Sequence, residues 1–415
     1  MTRSTGGSCY EKAQVFSTCM SPFFRAPSFD EFRGENPLSF IAVRVFWLFR
    51  GYLDERVDRG ALLRLADAVS AEGAEMFILT GHRCRKSTPE RVFHLCSPGI
   101  PLLNHLAQCA SAFLVLLRKM RPGDVLLVEP YMVVPALFFA ILSRWGFLRH
   151  RVILDVRTMP VERESLLFAL DLAMFRLGLF VARSLFDGAI LVAETMREAL
   201  GHYLSGLRTG IVTPVVDMGL FDPEKYRSTA VKEKLGLEGK TMFLYWGSLD
   251  SRGRGLVEAA RAFRDSSLPD AVLVFAGKGN QKNEIIRAGG PSVMVIPPVA
   301  YEDVPGLVAA ADFAVIPFTR TPAVQKGYPI KLLEALAMEK PVVATDVNPV
   351  RELLEGKDFW FAASSTGDLG RAFAMAYEKR HSVRASGARR IAGRFSASAQ
   401  AMKLLAFLGN QGQIP

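Results

Sequence analysis

A lysine and a glutamate lie three positions apart in the stretch GYPIKLLEALAMEKPVVATD, residues 327–346, where most neighbours are apolar. Because proline is accepted in the first turn of a helix, a helix that begins at Pro329 carries Lys331 and Glu334 on one face. An exposed ion pair at this spacing would contribute roughly a few tenths of a kcal/mol and no chemistry. A ligand site would instead use the helix N-terminus and Lys331 for phosphates, and Glu334 for the two hydroxyls of a ribose. That second arrangement matches what a nucleoside diphosphate presents.

Glycine-rich segments follow two short apolar runs in the same half of the chain. The segment WGSLDSRGRG contains Gly247, Arg254 and Gly255, and the segment FAGKG contains Gly277 and Gly279. Glycine allows the backbone to approach a ligand closely, and the planar guanidinium of arginine matches the geometry of phosphate oxygens. Taken singly, each segment is equally consistent with an ordinary turn. Their occurrence together favours a phosphate-binding site.

These segments need a scaffold, and from about Ser39 onward the chain alternates strand-like and helix-like runs. Such alternation indicates parallel sheets covered by helices on both faces. Two series meet near TPVVDMGLFDPEKYRST, so we predict an α/β fold with two doubly wound, Rossmann-like domains that face a cleft. The predicted divisions are a poorly ordered arm over residues 1–37, one domain over 38–215, a second over 216–395, and a C-terminal helix and tail over 396–415 that packs back on the first domain.

Composition narrows the functional classes. The 415 residues carry a formal net charge of +10, which favours anionic partners such as nucleotides or an anionic membrane surface. The five cysteines lie between Cys9 and Cys109 and form no CxxC pair, which argues against a zinc site and for a reducing compartment. The longest uncharged run, in YMVVPALFFAILSRWGF, is interrupted by Pro135 and stops at Arg144, so a buried core helix is preferred to a membrane span.

Motifs of several enzyme classes are missing from the sequence. No GxGxxG follows a first strand, and neither GxxxxGK[ST], HExxH nor GxSxG occurs. Dinucleotide dehydrogenases, P-loop NTPases, zinc proteases and serine hydrolases of the usual types are therefore poorly supported.

The second half, from about residue 188 to 373, resembles the donor-binding domain of GT-B fold glycosyltransferases, in particular the retaining family 4. The stretches that carry the resemblance are FLYWGSLDSRGRGLVEAARAF, VLVFAGKG, VMVIPPVAYEDVPGLVAAADFAVIPF and GYPIKLLEALAMEKPVVATDVNPVRELL. In the first half, ILDVRTMPVE resembles an element of some bacterial surface-polysaccharide members, which implies that Asp155 and Arg157 face the cleft on the acceptor side. His82 follows a strand and either faces the cleft or is a plain loop histidine.

The resemblance implies roles for individual residues. Glu334 matches the second of the family's paired glutamates, which binds the donor ribose, and Lys331 matches the lysine of a Pro-x-Lys-x-x-Glu subgroup. Arg254 matches a lysine on the diphosphate, so that Arg254, Lys331 and Glu334 form the predicted catalytic set. The remaining predicted donor-binding residues are Gly247, Ser248, Gly255, Gly277, Gly279, Pro298, Val299, Lys326 and Gly327.

Two positions depart from the family pattern. Lys326 stands where the first of the paired glutamates, which contacts the transferred sugar, is expected. Ser248 stands where many members carry a second phosphate-binding arginine. These departures leave the identity of the donor open.

The implied activity is transfer of a sugar, with retention, from a nucleoside-diphosphate sugar to a glycan or polyprenyl-linked acceptor in surface polysaccharide or glycoconjugate synthesis. The resemblance implies neither metal nor cofactor, and nucleic acid is not an expected partner. A non-catalytic sugar-nucleotide-binding or partner subunit and a GT-B sugar-nucleotide epimerase are the alternatives.

The expected location is cytoplasmic, with a peripheral position on the inner face of the cell membrane as one possibility. The stretches FLVLLRKMR, SRWGFLRHR and MFRLGLFVARSLF mix apolar, aromatic and basic residues. They are consistent with a surface that rests on an anionic bilayer, and equally with core helices that have basic outer faces.

Overall fold

The computed structural model describes residues 43–53, 59–81, 90–160, 166–226, 229–250, 253–321 and 324–409. The predicted N-terminal arm and His82 lie outside these residues.

Thirteen strands in the described chain form two sheets in which every paired strand is parallel. The first sheet has the order β3-β2-β1-β4-β5-β6-β7, and the second has the order β10-β9-β8-β11-β12-β13. The strands are β1 (Arg44–Tyr52), β2 (Glu75–Gly81), β3 (Val92–Leu95), β4 (Val125–Val128), β5 (Arg151–Val156), β6 (Gly188–Leu191), β7 (Thr209–Ile211), β8 (Thr241–Trp246), β9 (Ala271–Ala276), β10 (Val293–Ile296), β11 (Phe313–Ile316), β12 (Val342–Thr345) and β13 (Trp360–Ala363).

Helices cover both faces of each sheet. Helix α1 and the last helix lie on one face of the first sheet, and α2 to α5 lie on the other. The helices are α1 (Arg59–Ala71), α2 (Pro101–Lys119), α3 (Val133–Arg144), α4 (Leu166–Leu185), α5 (Glu194–Leu200), α6 (Thr229–Leu235), α7 (Leu256–Asp265), α8 (Lys282–Gly289), α9 (Val304–Ala310), α10 (Ile330–Ala337), α11 (Asn348–Leu354), α12 (Leu369–Glu378), α13 (Ala388–Gly393) and α14 (Ala397–Gly409). The predicted α/β fold with two doubly wound sheets is confirmed.

The central strand β8 shows how the sequence produces this layering. Its residues TMFLYW are buried from the second onward and alternate between two cores. Phe243 and Tyr245 face the core that contains α7 and α12, whereas Leu244 and Trp246 face the core that contains α10. Since both faces are covered, the strand reads as a continuous apolar run without polar alternation.

Strand order fixes where a ligand can bind. In each sheet the order reverses beside the first strand, between β1 and β4 and between β8 and β11. At such switch points the loops after the strands diverge and leave a crevice at their carboxyl ends. The second crevice lies directly after Trp246, the last residue of β8.

The chain passes between the domains at two neighbouring points. Val216 and Ser396 form a parallel bridge, and the N–H of Val216 donates to the carbonyl of Phe395 at 2.9 Å. Helix α14 follows this crossing and packs against α1 of the first domain. Arg389 ties the crossing to the second domain, because its guanidinium donates to the carbonyls of Met218 and Ala337 at 2.9 and 2.8 Å.

None of the helices in the described part of the chain combines the length and hydropathy that a membrane crossing requires. The predicted core helix over residues 131–147 is buried on one side only. Val133, Ala136 and Phe139 point into the core, but Val134 and Phe138 are exposed on the outer side. The predicted core helix is therefore buried toward the sheet and exposed on its outer side.

Candidate functional site

Glu334 is a buried carboxylate in the middle of helix α10. It is only 4% exposed, and the indole Nε1 of Trp246 donates a hydrogen bond to its Oε2 at 2.7 Å. Burial raises the pKa of Glu334 to about 7, although the hydrogen bond from Trp246 and the positive charge of Lys331 oppose the rise. A group with such a pKa titrates near neutral pH, which is typical of functional carboxylates.

Lys331 lies one turn before Glu334 and covers the carboxyl end of β8. A Cβ placed on Gly247 would lie 2.7 Å from the Lys331 Nζ, so the end of the lysine side chain lies directly against this glycine. Gly247 also has a φ of +117°, a conformation that L side chains rarely adopt. The Nζ lies 5.4 Å from the centre of the Tyr245 ring, within the range of a cation–π contact. The ammonium is thus held beside the strand end.

Helix α10 begins later than the sequence predicts, because Pro329 is its N-cap and Ile330 its first residue. The amides of Leu332 and Leu333 donate to the carbonyl of Pro329 at 3.0 and 3.3 Å. The first N–H groups of the helix, on Ile330 and Lys331, point away from the helix and are the ones that an anion can use.

Arg254 adds a second cation at the same edge. Its Nη1 donates to the Tyr245 hydroxyl at 3.3 Å, and that hydroxyl donates to the carbonyl of Ser248 at 3.0 Å. Ser248, which stands where many family members carry a second phosphate-binding arginine, is uncharged. Its hydroxyl donates to Asp250 at 3.1 Å and stabilises the loop. Tyr245 therefore connects the loop after β8 with the arginine that follows it.

The glycines of the next strand end allow the loops to pack backbone against backbone. A Cβ on Gly277 would lie 1.9 Å from the carbonyl oxygen of Gly247. A Cβ on Gly279 would lie 2.1 Å from the carbonyl carbon of Leu249, and a Cβ on Gly255, the N-cap of α7, would lie 2.0 Å from the carbonyl oxygen of Pro317. The structure therefore brings Gly247, Gly255, Gly277 and Gly279 together at one edge of the second sheet. Pro298 and Val299 lie in the loop that follows β10.

Two adjoining cavities occupy the space between the domains. One has a volume of about 670 Å³ and is lined by Arg59 and Arg64 of α1, by Tyr301, and by Ile330 and Glu334 of α10. The other has a volume of about 490 Å³, and Ala61 and Ile330 line both. Glu334 is thus buried in the core on most sides but faces a cavity of ligand size.

Arg157 forms part of the first domain's wall of the smaller cavity. Its Nε lies 2.9 and 3.0 Å from the two carboxylate oxygens of Asp155, and Trp47 Nε1 donates to the same carboxylate at 2.6 Å. Arg157 also stacks over the Trp47 ring at 4.9 Å. Asp155 is 1% exposed and so holds Arg157 in place from the core side, which differs from the predicted position facing the cleft.

Lys326 and Gly327 lie on the second domain's wall of this smaller cavity. Lys326 ends a single 3-10 turn, Val324–Lys326, and a Cβ placed on Gly327 would lie 3.7 Å from Val192 of the first domain. The structure therefore separates the predicted donor residues into two groups. Lys331, Glu334, Arg254 and the glycines of the loops after β8 and β9 surround the end of β8, whereas Lys326 and Gly327 share a cavity with Arg157.

Three residues of this region were not predicted from the sequence: Trp246, Tyr245 and Trp47. Each is an aromatic residue with a polar atom in an otherwise apolar strand, which is the signal that could have found them. Within the described residues, no group of three or more potential metal ligands occurs.

Comparison with known proteins agrees with this geometry. Residues 240–379 match the family model described as glycosyl transferases group 1. The chain is 29% identical over 152 residues to a Bacillus subtilis protein named as a teichuronic acid biosynthesis glycosyltransferase, TuaC. That match covers 36% of this chain and 36% of the relative, so it spans about a third of the relative's length.

Solved structures match nearly the whole chain. Sucrose-phosphate synthase from Thermosynechococcus elongatus has a TM-score of 0.70 at 13% identity, covering 88% of this chain and 98% of its own. Anabaena HepE in complex with UDP-glucose has a TM-score of 0.67 at 17% identity, covering 88% and 99%. The fold is therefore GT-B, two Rossmann-like domains that face a cleft. Together with the family match, this supports a GT-B glycosyltransferase.

Proposed function

We propose that this protein transfers a sugar from a nucleoside-diphosphate sugar to a glycan or lipid-linked acceptor, with retention at the anomeric carbon. One observation carries the proposal. A single helix N-terminus holds the Lys331 ammonium over the end of β8 and, one turn deeper, a buried carboxylate that faces an interdomain cavity. An ion pair on a solvated helix surface would not bury Glu334.

In the proposed complex the donor diphosphate lies between Arg254, Lys331 and the first amides of α10. The hydrogen bond from Trp246 occupies Oε2 of Glu334, which leaves Oε1 for the hydroxyls of the ribose. Pro298 and Val299 lie against the nucleobase.

Sugar transfer from a nucleotide requires stabilisation of the leaving diphosphate more than it requires a strong base. Negative charge grows on the β-phosphate as the glycosidic bond breaks. The charges of Arg254 and Lys331 and the dipole of α10 are fixed in advance by Tyr245, Gly247 and the surrounding core. Such preorganised groups stabilise the transition state more than the ground state. The proposed reaction needs no cofactor, since the nucleotide sugar is itself the substrate.

The acceptor enters the smaller cavity in this proposal. Arg157, held by Asp155 and Trp47, and Lys326 from the other domain are the cations that line it. His82 is retained as a predicted residue of this side. The proposed acceptor is polyprenyl-linked. A cytoplasmic location fits Cys109, a cysteine of the described chain that takes part in no disulfide bond.

The related proteins support the substrate class. The Bacillus subtilis relative is named for teichuronic acid synthesis, and the Anabaena structure contains UDP-glucose. We infer a role in surface polysaccharide synthesis and a nucleotide-sugar donor from these names together with the site.

Lys326 favours one alternative function. A positive charge in place of the expected carboxylate is consistent with a subunit that binds a sugar nucleotide without turning it over. This alternative and the epimerase predict donor binding without glycosyl transfer.

Incubation with UDP-, GDP- and dTDP-sugars, each with and without a polyprenyl-phosphate-linked glycan, separates these functions. The proposal predicts that one donor raises the Tm and is consumed only with an acceptor, giving an α-linked product from an α-linked donor. Donor binding without transfer would favour the subunit, and release of free sugar or an epimer would favour the epimerase. If no nucleotide sugar raised the Tm, the proposed donor site would be wrong.

A further inference from the structure

Three neighbouring helices of the first domain expose large apolar side chains on their outer sides. The exposed residues follow helical spacing on each helix, and they are Leu103, Leu106 and Leu117 on α2, Val134 and Phe138 on α3, and Leu170, Leu177 and Phe180 on α4. Each helix therefore has a buried stripe toward the sheet and an apolar stripe toward solvent, which is unusual for a helix at the surface of a protein.

The three stripes form one continuous surface. Helix α3 packs against α2 on one side and against α4 on the other. The Phe113 and Phe138 rings meet edge to face across the first of these junctions, with 5.4 Å between their centres. We call this surface, made of the outer sides of α2, α3 and α4, the α2–α4 face.

Two aromatic residues extend the face where α3 ends. Trp145 is 70% exposed and Phe147 is 71% exposed, and the centres of their rings lie 6.5 Å apart. Phe180 of α4 is exposed to a similar degree, at 67%. The free energy of moving rings of this size from water into an apolar environment is strongly favourable. Their exposure indicates that this face meets an apolar partner.

The charges on the α2–α4 face are almost all positive. Exposed basic residues are Arg118 and Lys119 on α2, Arg144 on α3, and Arg176 and Arg183 on α4. Helices α2 and α3 contain no acidic residue, and α4 contains only Asp171, which pairs with Arg50 at 2.8 Å. The face thus combines exposed aromatic residues with a net positive charge.

The rest of the described surface lacks this combination. Eleven of the 17 large apolar side chains that are exposed among the described residues lie on the α2–α4 face or in the turns at the ends of its helices. Helices α8 and α12 of the second domain expose one such residue each, Ile286 and Met375. The asymmetry excludes a general tendency of this chain to expose apolar residues. It also favours the first of the two sequence interpretations, a surface that rests on a bilayer, because core helices with basic outer faces would not expose these rings.

We propose that the α2–α4 face rests on an anionic lipid bilayer. Aromatic and aliphatic side chains insert at the boundary between head groups and acyl chains, while arginine and lysine bind the anionic head groups. A second copy of the chain fits less well, because a two-fold interface would place this positive face against itself. A protein partner would need an acidic and apolar surface of the same extent.

The α2–α4 face extends to the cleft between the domains. In a doubly wound sheet the helices run antiparallel to the strands, so the N-terminal ends of α2, α3 and α4 lie at the edge of the sheet that borders the cleft. A bilayer against the face would therefore reach from the far end of the domain to the side of the cleft.

Flotation of the full chain with vesicles tests the proposal. The expected result is binding to vesicles of phosphatidylcholine mixed with phosphatidylglycerol, weakened by salt, and little binding to phosphatidylcholine alone. The double variant Trp145→Ser, Phe147→Ser is expected to reduce the partition coefficient by about tenfold or more. The double variant Arg176→Gln, Arg183→Gln is expected to reduce binding to anionic vesicles and to flatten its salt dependence.

Matched variants on other surfaces serve as controls. Met375→Ser, Met402→Ser removes two exposed apolar residues elsewhere, and Lys282→Gln, Arg287→Gln removes two exposed charges on α8. Both are expected to bind vesicles like the parent. Thermal unfolding of each variant separates loss of binding from loss of fold.

Several outcomes would overturn the proposal. The proposal is wrong if the parent does not bind anionic vesicles. It is also wrong if the variants on the α2–α4 face bind as well as their controls. A parent that is a dimer in solution, and that the Trp145→Ser, Phe147→Ser change makes monomeric without any effect on vesicles, would assign the face to self-association. None of these results depends on the proposed activity, because no donor or acceptor is present.

Discussion

The indole Nε1 of Trp246 donates a 2.7 Å hydrogen bond to Oε2 of Glu334, and the two residues join the central strand β8 to helix α10. The bond gives the buried carboxylate a fixed orientation at the edge of a cavity. A carboxylate in such a position is costly to ionise, and its hydrogen bond reduces that cost. Glu334 is thus held for a ligand that brings further donors.

The free energy of unfolding is expected to depend on pH because Glu334 is buried. The pKa of Glu334 is about 7 in the folded protein against an ordinary value of 4.5. The folded protein binds this proton more tightly than the unfolded chain does. As the pH rises from about 4.5 to about 7, the Glu334 carboxyl therefore lowers the free energy of unfolding by up to ~3 kcal/mol. Glu334→Gln keeps the acceptor for Trp246 and is expected to lack this decline.

Urea unfolding of the parent and of Glu334→Gln at pH 5 and pH 7.5 checks this expectation. The stability of the variant relative to the parent is expected to increase at the higher pH. Glu378→Gln, at an exposed position, serves as the control. An identical pH dependence in parent and Glu334→Gln would show that the carboxylate titrates normally.

Trp246 is expected to affect donor binding by orienting the Glu334 carboxylate and not by contacting the donor itself. Trp246→Phe removes the donor, so the pKa of Glu334 rises further and less of the carboxylate is ionised at neutral pH. Affinity for the nucleotide sugar is expected to fall by about tenfold or more. The decrease of affinity on acidification, centred near pH 7 in the parent, is expected to begin at a higher pH.

A nucleotide sugar is the appropriate probe, because its diphosphate has no group that titrates in this range. Trp360→Phe is a matched control, since the Nε1 of Trp360 is buried without a hydrogen-bond partner among the described residues. If the Trp246→Phe protein kept the parent's pH profile of affinity, Trp246 would have a packing role only.

Gly277 is expected to tolerate no side chain. In Gly277→Ala the new Cβ would lie 1.9 Å from the carbonyl oxygen of Gly247, so the loops after β8 and β9 must separate. We expect a loss of about 2 kcal/mol or more in stability, with weaker donor binding. Gly393→Ala on α13 has open space around it and is expected to be neutral or slightly stabilising. Equal Tm values for the two variants would contradict the packing described for the loops.

Lys326 is expected to affect the transferred sugar and not the nucleotide. It lines the cavity proposed for the acceptor, where the transferred sugar must meet that acceptor, whereas Lys331 and Glu334 surround the end of β8. Lys326→Glu is therefore expected to change the ratio of kcat/KM values among donor sugars while the Kd for the nucleoside diphosphate stays within about twofold. Lys379→Glu, at an exposed position of the second domain, controls for charge reversal. An unchanged donor preference would mean that Lys326 does not contact the sugar.

Much of this site follows from local pattern. The alternation of strands and helices predicts two parallel sheets, and parallel strands necessarily bring the loops of Gly247 and Gly277 to one edge. The spacing of Lys331 and Glu334 predicts one helix face. These features depend on neighbouring residues and on the direction of the strands alone.

The contacts that make the site specific depend on packing between distant segments. Trp246 and Glu334 are 88 residues apart, and Trp47 and Asp155 are 108 residues apart. Which face of a fully buried strand meets which helix cannot be read from an apolar run that has no alternation. The outer side of α3 escaped prediction for a similar reason, because nearly all of its residues are apolar and the exposed ones look like the buried ones.

Calorimetric titration of Lys331→Ala with a nucleoside diphosphate tests the central claim most directly. The probe is whichever of UDP, GDP and dTDP raises the Tm of the parent most, and Lys357→Ala is the control for loss of one lysine. The proposed donor site predicts that Lys331→Ala weakens binding by about tenfold or more, with an unchanged Tm in the absence of nucleotide. Binding by Lys331→Ala as tight as by the parent and by Lys357→Ala would contradict it.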